Sequence, residues 1–87
     1  MHVRMKHLDA FFSLVEAFCI ASGHAEATLS GKMFSDGKRI AALRSGSDIG
    51  VRRLSRAIEW LSDNWPPNAS WPEGVYRPYA KPVEVLR

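Results

Sequence analysis

The stretch Thr-Leu-Ser-Gly-Lys-Met-Phe-Ser-Asp-Gly-Lys-Arg-Ile-Ala-Ala-Leu-Arg-Ser-Gly, residues 28–46, decides how this chain folds. Its apolar residues form two short groups, Leu29 with Met33 and Ile40 with Leu43, separated by the polar Ser35-Asp36-Gly37. Spacings of four and of three residues put each pair on one face of a helical turn. Ser and Asp side chains accept the unpaired amide protons at the start of a helix, so the break reads as a turn that feeds a second helix. The spacing predicts two short helices, over residues 25–34 and 37–44, with Ser45-Gly46-Ser47 ending the second.

Upstream, Leu8, Phe11, Phe12, Leu14, Val15, Phe18 and Cys19 recur at three- and four-residue steps. They predict a helix over residues 8–21 that stops near Ser22-Gly23, with an apolar arc broad enough for a central place in a bundle. Downstream, Val51, Leu54, Ile58, Leu61 and Trp65 fall on one stripe of a fourth helix, and Pro66-Pro67 ends it. Prolines at 66, 67, 72, 78 and 82 exclude a further long helix. Trp71, Tyr76, Tyr79, Val83, Val85 and Leu86 make the remainder an extended, partly packed tail. No internal repeat is apparent. The expected architecture is mainly α: a small four-helix bundle over residues 8–65, then an extended Pro- and aromatic-rich C-terminal tail over 66–87, a candidate dimerisation segment.

The charge is uneven. Between Lys32 and Arg56 stand seven basic residues and two acidic ones, Asp36 and Asp48, a local +5 inside a chain whose net charge is +3. A basic concentration on a slightly acidic background points to a polyanion. Other classes are disfavoured. The single Cys19 sits in an apolar run, which fits a buried thiol in a reducing, cytoplasmic setting. No apolar run is long enough to span a bilayer, Glu16 interrupts residues 11–21, and no small-residue cleavage site marks a signal peptide. His2, His7 and His24 match no zinc spacing, and Gly31, Gly37 and Gly46 lack the Lys-Ser/Thr of a phosphate loop. The acidic groups form no pair in an apolar setting. Neither an enzyme, a cofactor nor a small-molecule ligand is expected.

Two short helices with a tight turn, the second opening on Lys38 and Arg39, have the form of a helix-turn-helix. Together with Val-Arg-Arg-Leu-Ser-Arg-Ala-Ile-Glu-Trp-Leu at residues 51–61, the stretch 28–46 resembles the phage-repressor-like helix-turn-helix family. That group contains phage Cro and repressor proteins and many small bacterial regulators. The resemblance covers residues 25–61. It implies a bacterial or phage-encoded, nucleoid-associated transcriptional regulator that binds double-stranded DNA as a homodimer and represses by promoter occlusion. The family's base-reading positions fall on Gly37, Lys38 and Ala42, with Ala41 at the margin. Since Gly and Ala offer only close approach and a methyl contact, Lys38 and its neighbour Arg39 would supply the polar reading of guanine. Ser45 and Ser47 match the loop that touches phosphate. Charge adds Lys32, Arg44, Arg52 and Arg53 as phosphate contacts, and leaves Arg56 as solvated surface.

Three positions depart from the family pattern. Phe34 stands where a turn glycine is usual, so a different turn is expected. Glu26 stands where many members begin the first motif helix with Gln, and Lys38 is the expected partner of its carboxylate. Gly50 replaces the usual capping Ser of the fourth helix. A reading from another class makes the chain a helical interaction module, an adaptor or inhibitor, whose basic face binds an acidic protein partner. Tyr76, Arg77, Tyr79 and Lys81 interleave rings and cations as single-stranded nucleic-acid sites do, but in so small a chain such rings are better used covering the bundle or meeting a second subunit.

Overall fold

The computed structural model describes the backbone of residues 5–78 and the side chains of residues 8–78. Among them lie four helices and no strand: α1 (Met5–Ser22), α2 (Glu26–Phe34), α3 (Arg39–Arg44) and α4 (Val51–Asp63). The mainly helical bundle expected from the apolar periodicity is what the chain forms. Among the described residues no single helix is long and apolar enough to cross a membrane.

α1 is the central element. Phe11, Leu14 and Val15 are excluded from solvent, with Leu8 and Phe18 nearly so, and burying a side chain of this size contributes roughly 1.5–3 kcal/mol. The helix closes as Gly23 takes φ +78° and its N–H reaches the Cys19 carbonyl at 2.9 Å, a conformation that costs glycine nothing. The chain then bends by 113° into α2. Cys19 is half-buried against the core. Burial first, and the charge of Glu26 second, push its thiol pKa up, which keeps it protonated at neutral pH.

α2 and α3 bury the two pairs that opened the sequence reading. Leu29, Ile40 and Leu43 are core residues, and Met33 packs against the core from one side. α3 begins at Arg39, not at residue 37: Gly37 and Lys38 belong to the turn, because the Lys38 N–H is taken by the Asp36 side chain at 2.9 Å. At its other end the Ser47 N–H bonds back to the Ala42 carbonyl (3.0 Å) and the Gly46 N–H to Leu43 (3.1 Å), with Gly46 at φ +112°. This double closure satisfies carbonyls that a six-residue helix would otherwise leave bare.

α4 differs from its expected stripe in two places. Val51 is 61% exposed, and Trp65 lies beyond the helix end. Ala57, 3% exposed, holds the centre of the buried face between Leu54 and Leu61. A side chain as small as alanine lets α4 approach the other helices closely. Ile49, 3% exposed in the linker before α4, is a core residue that no periodicity marked.

After α4 the chain folds back on the bundle in two like units, Trp65-Pro-Pro-Asn-Ala69 and Trp71-Pro-Glu-Gly-Val75. In each, the proline carbonyl accepts the N–H three residues on (Ala69 to Pro66, 3.2 Å; Val75 to Pro72, 3.3 Å). In each, too, the indole N–H donates to the carbonyl four residues on, at 2.9 Å and 2.8 Å. This is a short internal repeat, and it corrects the expectation that the chain has none. Trp65 packs edge-on against Phe18 (5.9 Å) and in a tilted arrangement against Trp71 (4.7 Å). Arg77 then stacks over Trp71 at 4.9 Å and bonds Ser62 through its hydroxyl and carbonyl, each at 2.9 Å. Tyr79, Lys81 and the rest of the tail lie outside the described residues.

Candidate functional site

The turn between α2 and α3 is held from beneath. Ser30, fully buried on α2, donates its hydroxyl to the Asp36 carbonyl at 2.5 Å and accepts the Ile40 N–H at 3.1 Å. One side chain thus bonds the turn and the first turn of α3 to the body of α2. Ser35 makes the reversal at φ 59°, and its N–H caps the Gly31 carbonyl at 2.9 Å. It is the one non-glycine residue with positive φ among the described residues. Phe34, in place of the family's turn glycine, is the last residue of α2 and packs edge-on against Phe11 at 6.3 Å.

The seven basic residues of the Lys32–Arg56 stretch divide by what holds them. Arg44 is tied down. Its Nε lies 3.0 Å and 3.1 Å from the two oxygens of Glu26, its terminal nitrogen 2.9 Å from the same carboxylate and 3.7 Å from Glu16, and its guanidinium 4.5 Å above the Phe12 ring. The hydrogen-bonded Glu26 carboxylate raises the pKa of this guanidinium further. The partner of Glu26 is therefore Arg44, not Lys38 as expected, because the short α3 brings its last residue back over the start of α2. Arg39 is half-buried and donates to the Asp48 carbonyl at 3.1 Å, with its Nε enclosed and without an acceptor among the described residues.

Lys32, Lys38, Arg52, Arg53 and Arg56 are exposed, and their side chains make no hydrogen bond or ion pair among the described residues. Lys38 stands at the head of α3. Gly37 and Ala41 are exposed beside it, and Ala42 is half-covered. Ser45 and Ser47 are exposed, but their amide protons are spent on closing α3, so only their hydroxyls remain for an outside acceptor. Arg52 and Arg53 project from the first turn of α4, and Arg53 and Arg56 flank the end of α2.

One element of this surface went unread in the sequence: Trp60, which with Met33 and Phe34 makes an apolar floor beside Arg53 and Arg56. Its signal was available, since 53, 56 and 60 share one flank of a helix. Among the described residues no three His, Cys, Asp or Glu side chains come together to hold a metal ion. The folded chain is thus a small helical protein on which Lys32, Lys38, Arg52, Arg53 and Arg56 are exposed and without partners among the described residues. No family model, no curated protein and no solved structure matches it.

Proposed function

We propose that the chain is a sequence-specific double-stranded DNA-binding regulator of the repressor-like helix-turn-helix type, with α2 and α3 as the motif, acting by promoter occlusion as a dimer. The observation that carries this reading is Lys38. Its ammonium has no partner among the described residues, at the exposed head of a helix whose other face, Ile40 and Leu43, is locked in the core and whose turn is bonded to α2 through Ser30. A rigid helix start presenting one free cation suits guanine O6 and N7 in the major groove. Gly37, Ala41 and Ala42 leave room for close approach. Arg39, held at Asp48, would reach a base only by leaving that carbonyl, so Lys38 carries the greater share of base reading.

Phosphates fall to Lys32, Arg52 and Arg53, which have no partner among the described residues, and to the hydroxyls of Ser45 and Ser47. Arg44 contributes mainly by positioning. Pairing of two copies belongs to the proposal because one motif meets a single half-site.

Duplex selection from a random pool, followed by a salt titration on the selected site, tests the reading. Binding should weaken steeply with salt through counterion release, and Lys38→Ala should cost about 1–3 kcal/mol on that site. No enrichment of any duplex, or a Lys38→Ala protein that binds the selected site unchanged, sinks it. Sedimentation of the full chain alone and on DNA decides the dimer separately.

A further inference from the structure

Between the end of α2 and the flank of α4 runs a groove of about 460 Å³, within the size range of sites that hold a peptide side chain or small ligand. Its floor is apolar: Met33, Phe34, Ala57 and Trp60. Arg53 and Arg56 stand at its side, three residues apart on α4, and no acidic residue lines it. The positions four residues on are Ala57 and Trp60, and Glu59, three on from Arg56, makes no ion pair with it among the described residues. Both guanidiniums are without a partner among the described residues.

Trp60 lines the same groove. The indole N–H groups of Trp65 and Trp71 each donate to a carbonyl. That of Trp60, whose ring is half-buried against Phe18 at 5.8 Å, has no acceptor among the described residues. Two guanidiniums without partners among the described residues therefore border one apolar floor, of which the Trp60 ring is part.

We infer that this groove docks an acidic segment of a partner protein, with one aromatic or aliphatic side chain seated on Met33, Phe34, Ala57 and Trp60 and flanking carboxylates paired to Arg53 and Arg56. Carboxylates match the guanidinium forks in twos, and Trp and Arg together are the residue types that most often anchor protein interfaces. A DNA backbone would use the arginines but has no apolar side chain to place on the floor, so the floor favours a polypeptide. The groove reaches Ser35 in the turn ahead of Lys38, which puts a bound segment next to the proposed reading head. The inference does not depend on the DNA reading, with which it shares only Arg53, so the two would compete for that side chain.

Random-peptide display against the full-length protein tests it, with the selected peptides re-measured on the Arg56→Gln protein by Trp fluorescence. The expected result is a selected pattern of Asp or Glu around one aromatic or aliphatic residue. Affinity should fall about tenfold or more with Arg56→Gln, and similarly when the peptide's apolar residue becomes Ser. Circular dichroism of the variant checks that it folds, and Arg56→Lys, which keeps the charge but loses the fork, should fall in between. Selected peptides without the acidic–apolar pattern, no enrichment, or indifference to Arg56→Gln would each overturn the inference. So would duplex DNA, in place of peptides, shifting the Trp60 indole resonance and losing affinity with Arg56→Gln. Because Lys38→Ala reports on DNA and Arg56→Gln on the peptide, either idea can fail alone.

Discussion

Arg44 and Glu26, eighteen residues apart, form a three-contact pair, with distances of 2.9, 3.0 and 3.1 Å, that ties the end of α3 to the start of α2. It adds an ion pair at the far end of α3 to the joint that Ser30 makes at its start and to the Ile40 and Leu43 packing. The pair makes a basic residue structural where charge alone marked it for phosphate.

Arg44→Ala should lower the urea midpoint by an amount equivalent to about 1 kcal/mol. Half-exposed ion pairs are worth up to about that, and the loss of the guanidinium over Phe12 adds to it. Glu26→Ala should cost less, since Arg44 keeps Phe12 and Glu16. A double-mutant cycle should return a coupling of about 0.5 kcal/mol or more. Strictly additive single effects would mean the contact contributes nothing in solution.

Ser30→Ala should destabilise by about 1–3 kcal/mol, because the Ile40 N–H and the Asp36 carbonyl lose their partner in a site that is closed to water. Amide exchange localises the effect: Ile40 should lose protection well before the amides of α1. If Ile40 exchanges no faster in the variant, the hydroxyl is not what holds α3.

What was legible in the sequence was whatever repeats at helical spacing. Leu8, Phe11, Leu14, Val15 and Phe18, Leu29, Ile40 with Leu43, and Leu54 with Leu61 all took the core places their periodicity assigned. Val51 is outside its expected stripe and Ala57 inside the core because size, not apolarity alone, decides at a close crossing: a small residue is centred and a branched one at the helix start is left outside. Ile49 sits in a linker with no period to read. The fate of each arginine was not legible either, since it depends on which carboxylate or carbonyl the fold brings near. Glu26 and Asp48 lie eighteen and nine residues from the arginines they engage. The Trp-Pro repeat could have been seen from the letters at 65–69 and 71–75, but its hydrogen bonds could not.

Ser35→Gly should stabilise the fold by a few tenths of a kcal/mol to about 1 kcal/mol. At φ 59° a side chain costs about 1–2 kcal/mol, and the extra freedom of glycine in the unfolded chain returns part of the gain. The same change at Phe34, where the family pattern has its glycine, should be strongly destabilising, because that residue is helical and its ring packs on Phe11. Thermal melts of the two variants side by side settle the register of the turn; Ser35→Gly melting below the parent would place the reversal elsewhere.

The two Trp-Pro units make a prediction that separates ring from donor. Trp65→Phe and Trp71→Phe keep an apolar ring but remove the N–H that bonds Ala69 and Val75. The lost hydrogen bond alone should cost about 0.5–1.5 kcal/mol in each. Beyond that the two should diverge. Trp65 packs on Phe18 of α1, so trimming its indole opens space against the core, whereas Trp71 rests on Trp65 and under Arg77 at the surface. Chemical denaturation followed by far-UV circular dichroism should therefore rank Trp65→Phe as the costlier change. In Trp71→Phe the remaining loss should extend to Arg77 and its bonds to Ser62, detectable as faster exchange of the Arg77 guanidinium protons. Equal costs for the two variants, with Arg77 unaffected, would show that the segment from Trp65 to Pro78 is not anchored to the bundle through this stack.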